Sequence, residues 1–133
     1  MIVLDTHALV WADRDDRKLG RKARATLNKL WPAGEVAAPA IVFWELGLLE
    51  ANGRVRLPLP VRDWRLALIA AGLLELPLTG EIAIRATELS GLHGDPADRF
   101  VAATALAEGA TLMTADDRLL GWRHALDRVD ARD

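Results

Sequence analysis

Cysteine is absent from the 133 residues, which removes disulfide scaffolds, thiolate metal sites and cysteine nucleophiles together. Long apolar runs are missing too. Charge interrupts every hydrophobic stretch before the roughly eighteen residues that a bilayer-spanning helix needs. Lysine is scarce, limited to Lys18, Lys22 and Lys29. The formal net charge is only −2, which argues against holding nucleic acid mainly by a bulk positive field. The opening Met1-Ile2-Val3-Leu4-Asp5 has no basic n-region and meets an acid at once, which speaks against a signal peptide. A cytoplasmic protein with no membrane segment is expected.

What is present is enough to build a core. Hydrophobic residues make up 51% and charged residues 27% of the chain, a balance that rules out disorder as the main state. One domain over residues 1–133 is the natural division. A domain of this size buries roughly 65–70% of the surface its unfolded chain exposes. Seven basic residues lie between Arg14 and Lys29 (Arg14, Arg17, Lys18, Arg21, Lys22, Arg24, Lys29). Alone, that run reads as a solvated helix face.

Strand and helix signals alternate along the chain. Short apolar runs at Met1–Leu4, Val36–Ala38, Leu73–Leu76 and Ala110–Thr114 read as buried strands, with His124–Val129 as an edge strand. Helical spacing marks His7–Trp11, Leu19–Trp31, Ala40–Ala51, Val61–Ala71, Gly80–Leu92, Asp95–Glu108 and Asp117–Trp122, several closed by Gly or Pro. Val55–Pro60 reads as a connecting loop or edge ribbon. Such alternation predicts an α/β fold with a central, mostly parallel sheet of four to five strands and helices on both faces. Ligands in such sheets bind at the carboxyl ends of the strands, near a topological switch point.

Acids stand at those ends. Asp5 follows the first strand, Asp116 follows the fourth, and Asp95 and Asp98 open the helix between Asp95 and Glu108. Each has a local explanation as a helix cap or first-turn acid, with Pro96 at the first helical position. Glu45 does not. Helical spacing places it near the middle of a face formed by Ile41, Val42, Trp44, Leu48 and Leu49, where a bare carboxylate is very expensive to bury. It calls for a cation or for a salt bridge to a neighbour such as Arg99. Phe43 and Leu46, on the far side of that helix, suggest a further buried contact. Acids gathered at one sheet end repel one another by roughly 4 kcal/mol per close pair at an effective dielectric near 20. A divalent cation offsets that repulsion, and all-oxygen ligation suits Mg²⁺ or Mn²⁺. Such clusters serve phosphoryl chemistry.

Four segments in order resemble the PIN-domain family, nearest to the VapC toxins of type II toxin–antitoxin systems. They are Leu4-Asp5-Thr6-His7-Ala8-Leu9-Val10-Trp11, Trp44-Glu45-Leu46, His93-Gly94-Asp95-Pro96-Ala97-Asp98-Arg99-Phe100 and Leu112-Met113-Thr114-Ala115-Asp116. The resemblance implies a PIN-like three-layer α/β/α sandwich and a Mg²⁺- or Mn²⁺-dependent endoribonuclease. It further implies a homodimer and neutralisation by a VapB-type antitoxin. Asp5, Glu45, Asp98 and Asp116 match the family's acidic quartet, and Thr6 and Thr114 match its hydroxyl positions. Asp95 is a helix cap first and a metal neighbour second. Ala97 stands where many relatives carry a bulky residue, which would widen the approach to Asp98.

Metal-assisted hydrolysis of an RNA phosphodiester is therefore expected, with Asp5 and Asp98 as direct ligands. Glu45 would ligate or orient water, and Asp116 would complete the site. Arg14, Arg17, Lys18, Arg21, Arg54 and Arg56 are candidate phosphate contacts. His7, His93 and His124 lack metal-motif spacing and read first as ordinary surface or core residues, with lining the cleft as the alternative for His7 and His93. Most tryptophans belong in the core, but Trp11 and Trp44 stand near the acids and could face a partner. Two other classes compete. A haloacid-dehalogenase-type phosphatase needs a second Asp where His7 stands, and a receiver domain needs a lysine after a late strand. A PIN fold kept only for binding gains nothing from clustered acids.

Overall fold

In the computed structural model, which describes residues Met1–Asp133, the apolar triplet at the start of the chain forms the central strand. The elements in order are β1 (Ile2–Leu4), α1 (Thr6–Arg14), α2 (Arg21–Leu30), β2 (Val36–Pro39), α3 (Ile41–Ala51) and α4 (Val61–Ala70). They continue with β3 (Leu74–Leu76), α5 (Gly80–Thr87), α6 (Pro96–Ala107), β4 (Thr111–Thr114), α7 (Asp117–Leu120) and β5 (Arg128–Asp130). The sheet has five strands in the order β3-β2-β1-β4-β5. Every pairing is parallel, with Ile2 opposite Val36 on one side and Thr111 on the other.

That order explains the sequence of the strands. β1 and β2 are buried at every position, as strands covered on both faces must be, so they read as unbroken apolar runs. The chain moves outward from β1 through β2 to β3, then returns to the other side of β1 for β4 and β5. With right-handed crossovers, this reversal puts helices on opposite faces of the sheet. The crevice lies where the direction reverses, between β1 and β4. The core gathers strands and helices into one cluster of 33 buried residues. Within it Ala102, Ala103 and Ala105 are fully buried, and these small side chains let α6 approach its neighbours closely.

Several element boundaries are corrected. The helix expected to reach Leu92 stops at Thr87. Arg99 accounts for this: its guanidinium donates to the carbonyls of Ala86, Leu89, Leu92 and His93 at 2.8–3.1 Å, so the following segment is held as an open loop. The edge strand expected from His124 starts only at Arg128. There His124 stacks on Trp122 at 4.2 Å, and Arg128 donates to the carbonyls of Leu119 and His124. The helix expected from Leu19 begins at Arg21 behind Gly20, and α1 runs past Trp11 to Arg14.

The largest correction concerns α3. Its core face is Val42, Phe43 and Leu46, while Trp44 is 53% and Leu48 46% exposed. The helix is apolar nearly all round, so spacing alone could not choose the inner face. Phe43 packs edge-on against Trp64 at 6.2 Å between ring centroids. Phe43 and Leu46 therefore fill this chain's own core and offer nothing to a second copy.

Candidate active site

The site grows out of strand ends. Asp5 leaves β1 and caps α1, its Oδ1 accepting from the Ala8 N–H at 3.0 Å. Its Oδ2 accepts from the Thr114 hydroxyl at the end of β4. The same hydroxyl oxygen accepts from the Asp116 N–H at 3.0 Å, so one threonine ties together two acid-bearing strand ends. Asp5 is only 6% exposed. Burial pushes its carboxyl above the ordinary range, against the lowering effect of the Thr114 and Ala8 hydrogen bonds. Thr6 is buried beside it and also borders the cleft.

Asp98 enters from α6. Asp95 caps that helix, accepting from Ala97 at 3.0 Å and from Asp98 at 3.4 Å, while Pro96 begins it. The cap aims Asp98 into the cleft with its side chain 15% exposed. Asp98 Oδ2 lies 2.8 Å from His93 Nε2. Its carboxyl is pushed up to about 7, first by burial and then by the charges of Asp95, Asp116, Asp5 and Glu45. Four separate acids thus act electrostatically on one carboxylate, which is the repulsion the sequence implied.

Asp116 caps α7, accepting from the backbone of Arg118 at 2.8 Å and Leu119 at 3.2 Å. Burial would raise its carboxyl, but the Arg118 side chain and these backbone donors outweigh that and hold it low. Glu45 borders the same cleft from α3. It forms no ion pair, and Arg99 turns away from it to the backbone carbonyls described above. The salt-bridge explanation of Glu45 is thereby removed.

The cleft, of about 460 Å³, brings together all four acids, together with Thr6 and Asp95. Thr114 lies beneath it, bonded to Asp5. Of the six candidate phosphate contacts only Arg54 borders the cleft. Arg14 is turned to the Arg56 carbonyl, Lys18 lies over the Trp11 ring at 5.9 Å, and Arg17, Arg21 and Arg56 likewise lie outside it. Ala97 is 3% exposed, so its small side chain serves packing and does not widen the approach to Asp98. Trp11 reaches the cleft wall, and Trp44 is exposed nearby.

Two residues escaped the sequence reading. His93 touches Asp98 directly and His7 borders the cleft, the alternative to reading them as ordinary histidines. The His93–Asp98 contact itself was not foreseen. The Nδ1 of His93 is buried with no partner. Arg118 donates to Asp116 Oδ2 at 3.1 Å and reaches Asp98 Oδ2 at 3.5 Å, with its side chain 59% exposed. The signal for Arg118 was its place in the turn just after a capping acid. For His93 no spacing rule applies, because loop 88–95 is shaped by Arg99 and not by a repeat.

The donor atoms of His93, Asp98 and Asp116 lie within 4.8 Å of one another. Asp5 stands outside this tight set, with its two oxygens accepting from Ala8 and Thr114. Acids whose charges push Asp98 up, beside the His93 imidazole, form a donor set suited to a divalent cation. Oxygen-rich sites at the switch point of a parallel sheet are typical of metal-assisted phosphoryl chemistry.

The PIN-domain family model matches residues 2–122, and the chain belongs to that family. It is 35% identical over 124 residues to Ribonuclease VapC22 of Mycobacterium tuberculosis, covering 92% of each chain. The fold is shared with the VapBC2 structure from Rickettsia felis bound to a promoter DNA fragment, at a TM-score of 0.68, 21% identity and 98% coverage of both chains. It is also shared with DNA-bound VapBC from Salmonella typhimurium, at a TM-score of 0.70, 17% identity and 98% and 97% coverage. No helix is long and apolar enough to cross a membrane.

Proposed function

We propose that this chain is a VapC-type endoribonuclease toxin that hydrolyses RNA phosphodiester bonds with Mg²⁺ or Mn²⁺ and is neutralised by a VapB-type antitoxin. The observation that carries the reading is Asp98, pushed up to about 7 by burial and four neighbouring acids. A cluster so costly to ionise is useful when a cation stabilises it. The 35% identity to Ribonuclease VapC22 supplies the substrate class, and the antitoxin follows from the same kinship and from the VapBC complexes that share the fold. A cytoplasmic setting goes with this reading.

Asp98 and Asp116 would hold the ion, with His93 beside them and Asp5 and Glu45 bordering the same space. When bound, the ion would lower the pKa of water and stabilise charge on the leaving oxygen. Glu45, free of ion pairs and half-buried in the cleft, is placed to orient the attacking water. Thr114 holds Asp5 in one rotamer and, through the Asp116 N–H, fixes the second strand end. Arg54 borders the cleft, where it would contact an RNA phosphate.

The cleft is acidic, so the antitoxin should reach it with a basic side chain, arginine above all. Exposed Trp44 and Leu48 on α3, with Leu66 and Ile69 on α4, supply the apolar surface for a homodimer in place of Phe43 and Leu46. Light scattering showing a monomer at tens of micromolar would remove the dimer. Cleavage of total cellular RNA by the purified chain, dependent on Mg²⁺ or Mn²⁺ and abolished by EDTA, tests the activity. No cleavage with either ion would sink the nuclease reading.

A further inference from the structure

Arg118 belongs to two concavities. One is the acidic cleft; the other is a neighbouring groove bordered by Gly91, Asp117, Gly121, Trp122 and Arg123. Resting on the nuclease reading, we infer that this groove is a second RNA subsite, in which Arg118 and Arg123 take the sugar–phosphate backbone of the strand leaving the cleft.

Charge is the first argument. Asp117 is the groove's one carboxylate, and Arg132 neutralises it through a 2.7 Å ion pair. Arg123 is exposed and enters none of the chain's ion pairs or side-chain hydrogen bonds. The groove therefore carries an uncompensated cation next to a cleft of opposite sign. A polyanion drawn to metal in the cleft meets Arg118 at the rim and Arg123 beyond it.

Shape is the second. Gly91 has φ +78°, a conformation that other residues adopt only with strain. A Cβ there would stand 3.7 Å from the Trp122 indole nitrogen. At Gly121 a Cβ would meet the Asp117 carbonyl at 3.1 Å. Both positions favour glycine for local reasons, and the same lack of side chains keeps the groove walls low. The Trp122 indole donates to the Ser90 carbonyl at 2.9 Å and is only 4% exposed, so it offers no face on which a base could stack. The groove suits phosphate and sugar, and its contacts are independent of sequence.

Fluorescence anisotropy with mixed-sequence single-stranded RNA pools of about twenty and about four nucleotides tests this, with Ca²⁺ replacing Mg²⁺ to suppress turnover. One lost phosphate contact lowers the salt slope of single-strand binding by about 0.7, which is roughly fivefold in affinity near 0.1 M salt. Arg123→Gln should weaken the longer pool by about that factor, and the longer pool more than the shorter. Arg123→Lys should restore the affinity and the slope. Parental affinity and slope in Arg123→Gln would overturn the subsite, as would a loss that Lys does not rescue. A variant that binds RNA normally but loses affinity for the antitoxin would assign the groove to a protein and overturn it too. If the parent chain neither binds nor cuts RNA, the nuclease reading itself falls. If the parent does both and Arg123→Gln matches it, only the subsite falls.

Discussion

The chain treats its acids in two opposite ways. At the edge strands they are paired: Glu75 on β3 receives both arms of Arg65 at 2.6 Å, and Asp130 on β5 is held by Arg132 at 2.9 Å. Those arginines keep both carboxyls below their ordinary range. At the central strands the acids are gathered with too little positive charge. Arg118 offers one guanidinium to Asp98 and Asp116, while Asp5, Glu45 and Asp95 border the same space with no ion pair of their own. Asp98 is pushed up to about 7 as a result. The same residue type is thus structural at the sheet edges and strained at its centre. A protein selected only for stability would pair or replace the central acids.

The strongest attempt to break this contrast removes a central charge. Asp98→Asn should lower RNA cleavage about 100-fold or more, by the scale of losing a single charge-stabilising group. Yet it should leave the metal-free protein at least as heat-stable as the parent, because it relieves repulsion. Glu45→Gln should behave alike, since Glu45 lies inside a helix, away from any cap. Cleavage assays beside melting curves in EDTA decide the matter. A large fall in melting temperature for either variant would make that acid a structural one.

Metal should act next most strongly. At a hundred times its dissociation constant, a ligand bound only by the folded state stabilises it by about 2.7 kcal/mol. Mg²⁺ or Mn²⁺ should raise the melting temperature of the parent and raise that of Asp98→Asn and Glu45→Gln less. Equal shifts in all three would place the ion away from these acids.

Proton linkage gives a smaller effect of opposite sign at the two regions. The unfolded chain should titrate Asp98 near 3.8, and the folded chain near 7. Between those values the folded state binds more protons, so metal-free stability falls as pH rises through that window. Burial raises Asp5 and adds in the same direction. Glu75 and Asp130 are lowered, so their contribution is complete above their ordinary values of 4.5 and 3.8. It is hence flat between pH 6 and pH 8, and is lost as pH falls below those values. In EDTA the parent should melt higher at pH 6 than at pH 8, and Asp98→Asn should flatten that slope. An unchanged slope in the variant would take Asp98 out of the account.

The sequence made the centre far more legible than its surroundings. Short unbroken apolar runs alternating with helical segments pointed to buried parallel strands, and acids just after such strands share one end of the sheet. Asp5 and Asp116 stood out by position, just after β1 and β4. Glu45 drew notice through the cost of burying a helix carboxylate. The quartet as a set came from the family likeness of the four segments. What stayed hidden depended on long-range partners. The inner face of α3 was ambiguous because Trp44 and Leu48 are as apolar as Phe43 and Leu46. Arg99 looked like a partner for Glu45, yet it holds loop carbonyls. His93 reaches the acids from a loop whose path no periodicity encodes, and Arg118 from the first turn of α7, where helical spacing gave no hint of its partners. The basic run from Arg14 to Lys29, a solvated face by itself and a source of candidate phosphate contacts, stands outside the cleft, while Arg54 borders it.

The smallest expected effect belongs to the edge pair, and it sharpens the contrast most cleanly. Glu75→Gln removes the carboxylate that ties Arg65 of α4 to β3. Arg65 also lies over the Phe43 ring at 5.9 Å, so its stem stays packed when its partner is neutralised. Both partners are solvent-accessible, where ion pairs contribute little. The melting temperature should therefore fall by less than about 4 °C. The increment from Mg²⁺, the slope between pH 6 and pH 8 and the rate of RNA cleavage should match the parent, because none of the cleft acids touches Glu75. Differential scanning fluorimetry in EDTA and in Mg²⁺ reads the first three quantities, and the cleavage assay reads the last. A Glu75→Gln variant that lost its response to Mg²⁺ would show the two regions to be coupled through α3 and α4, and the division between paired edges and a strained centre would fail.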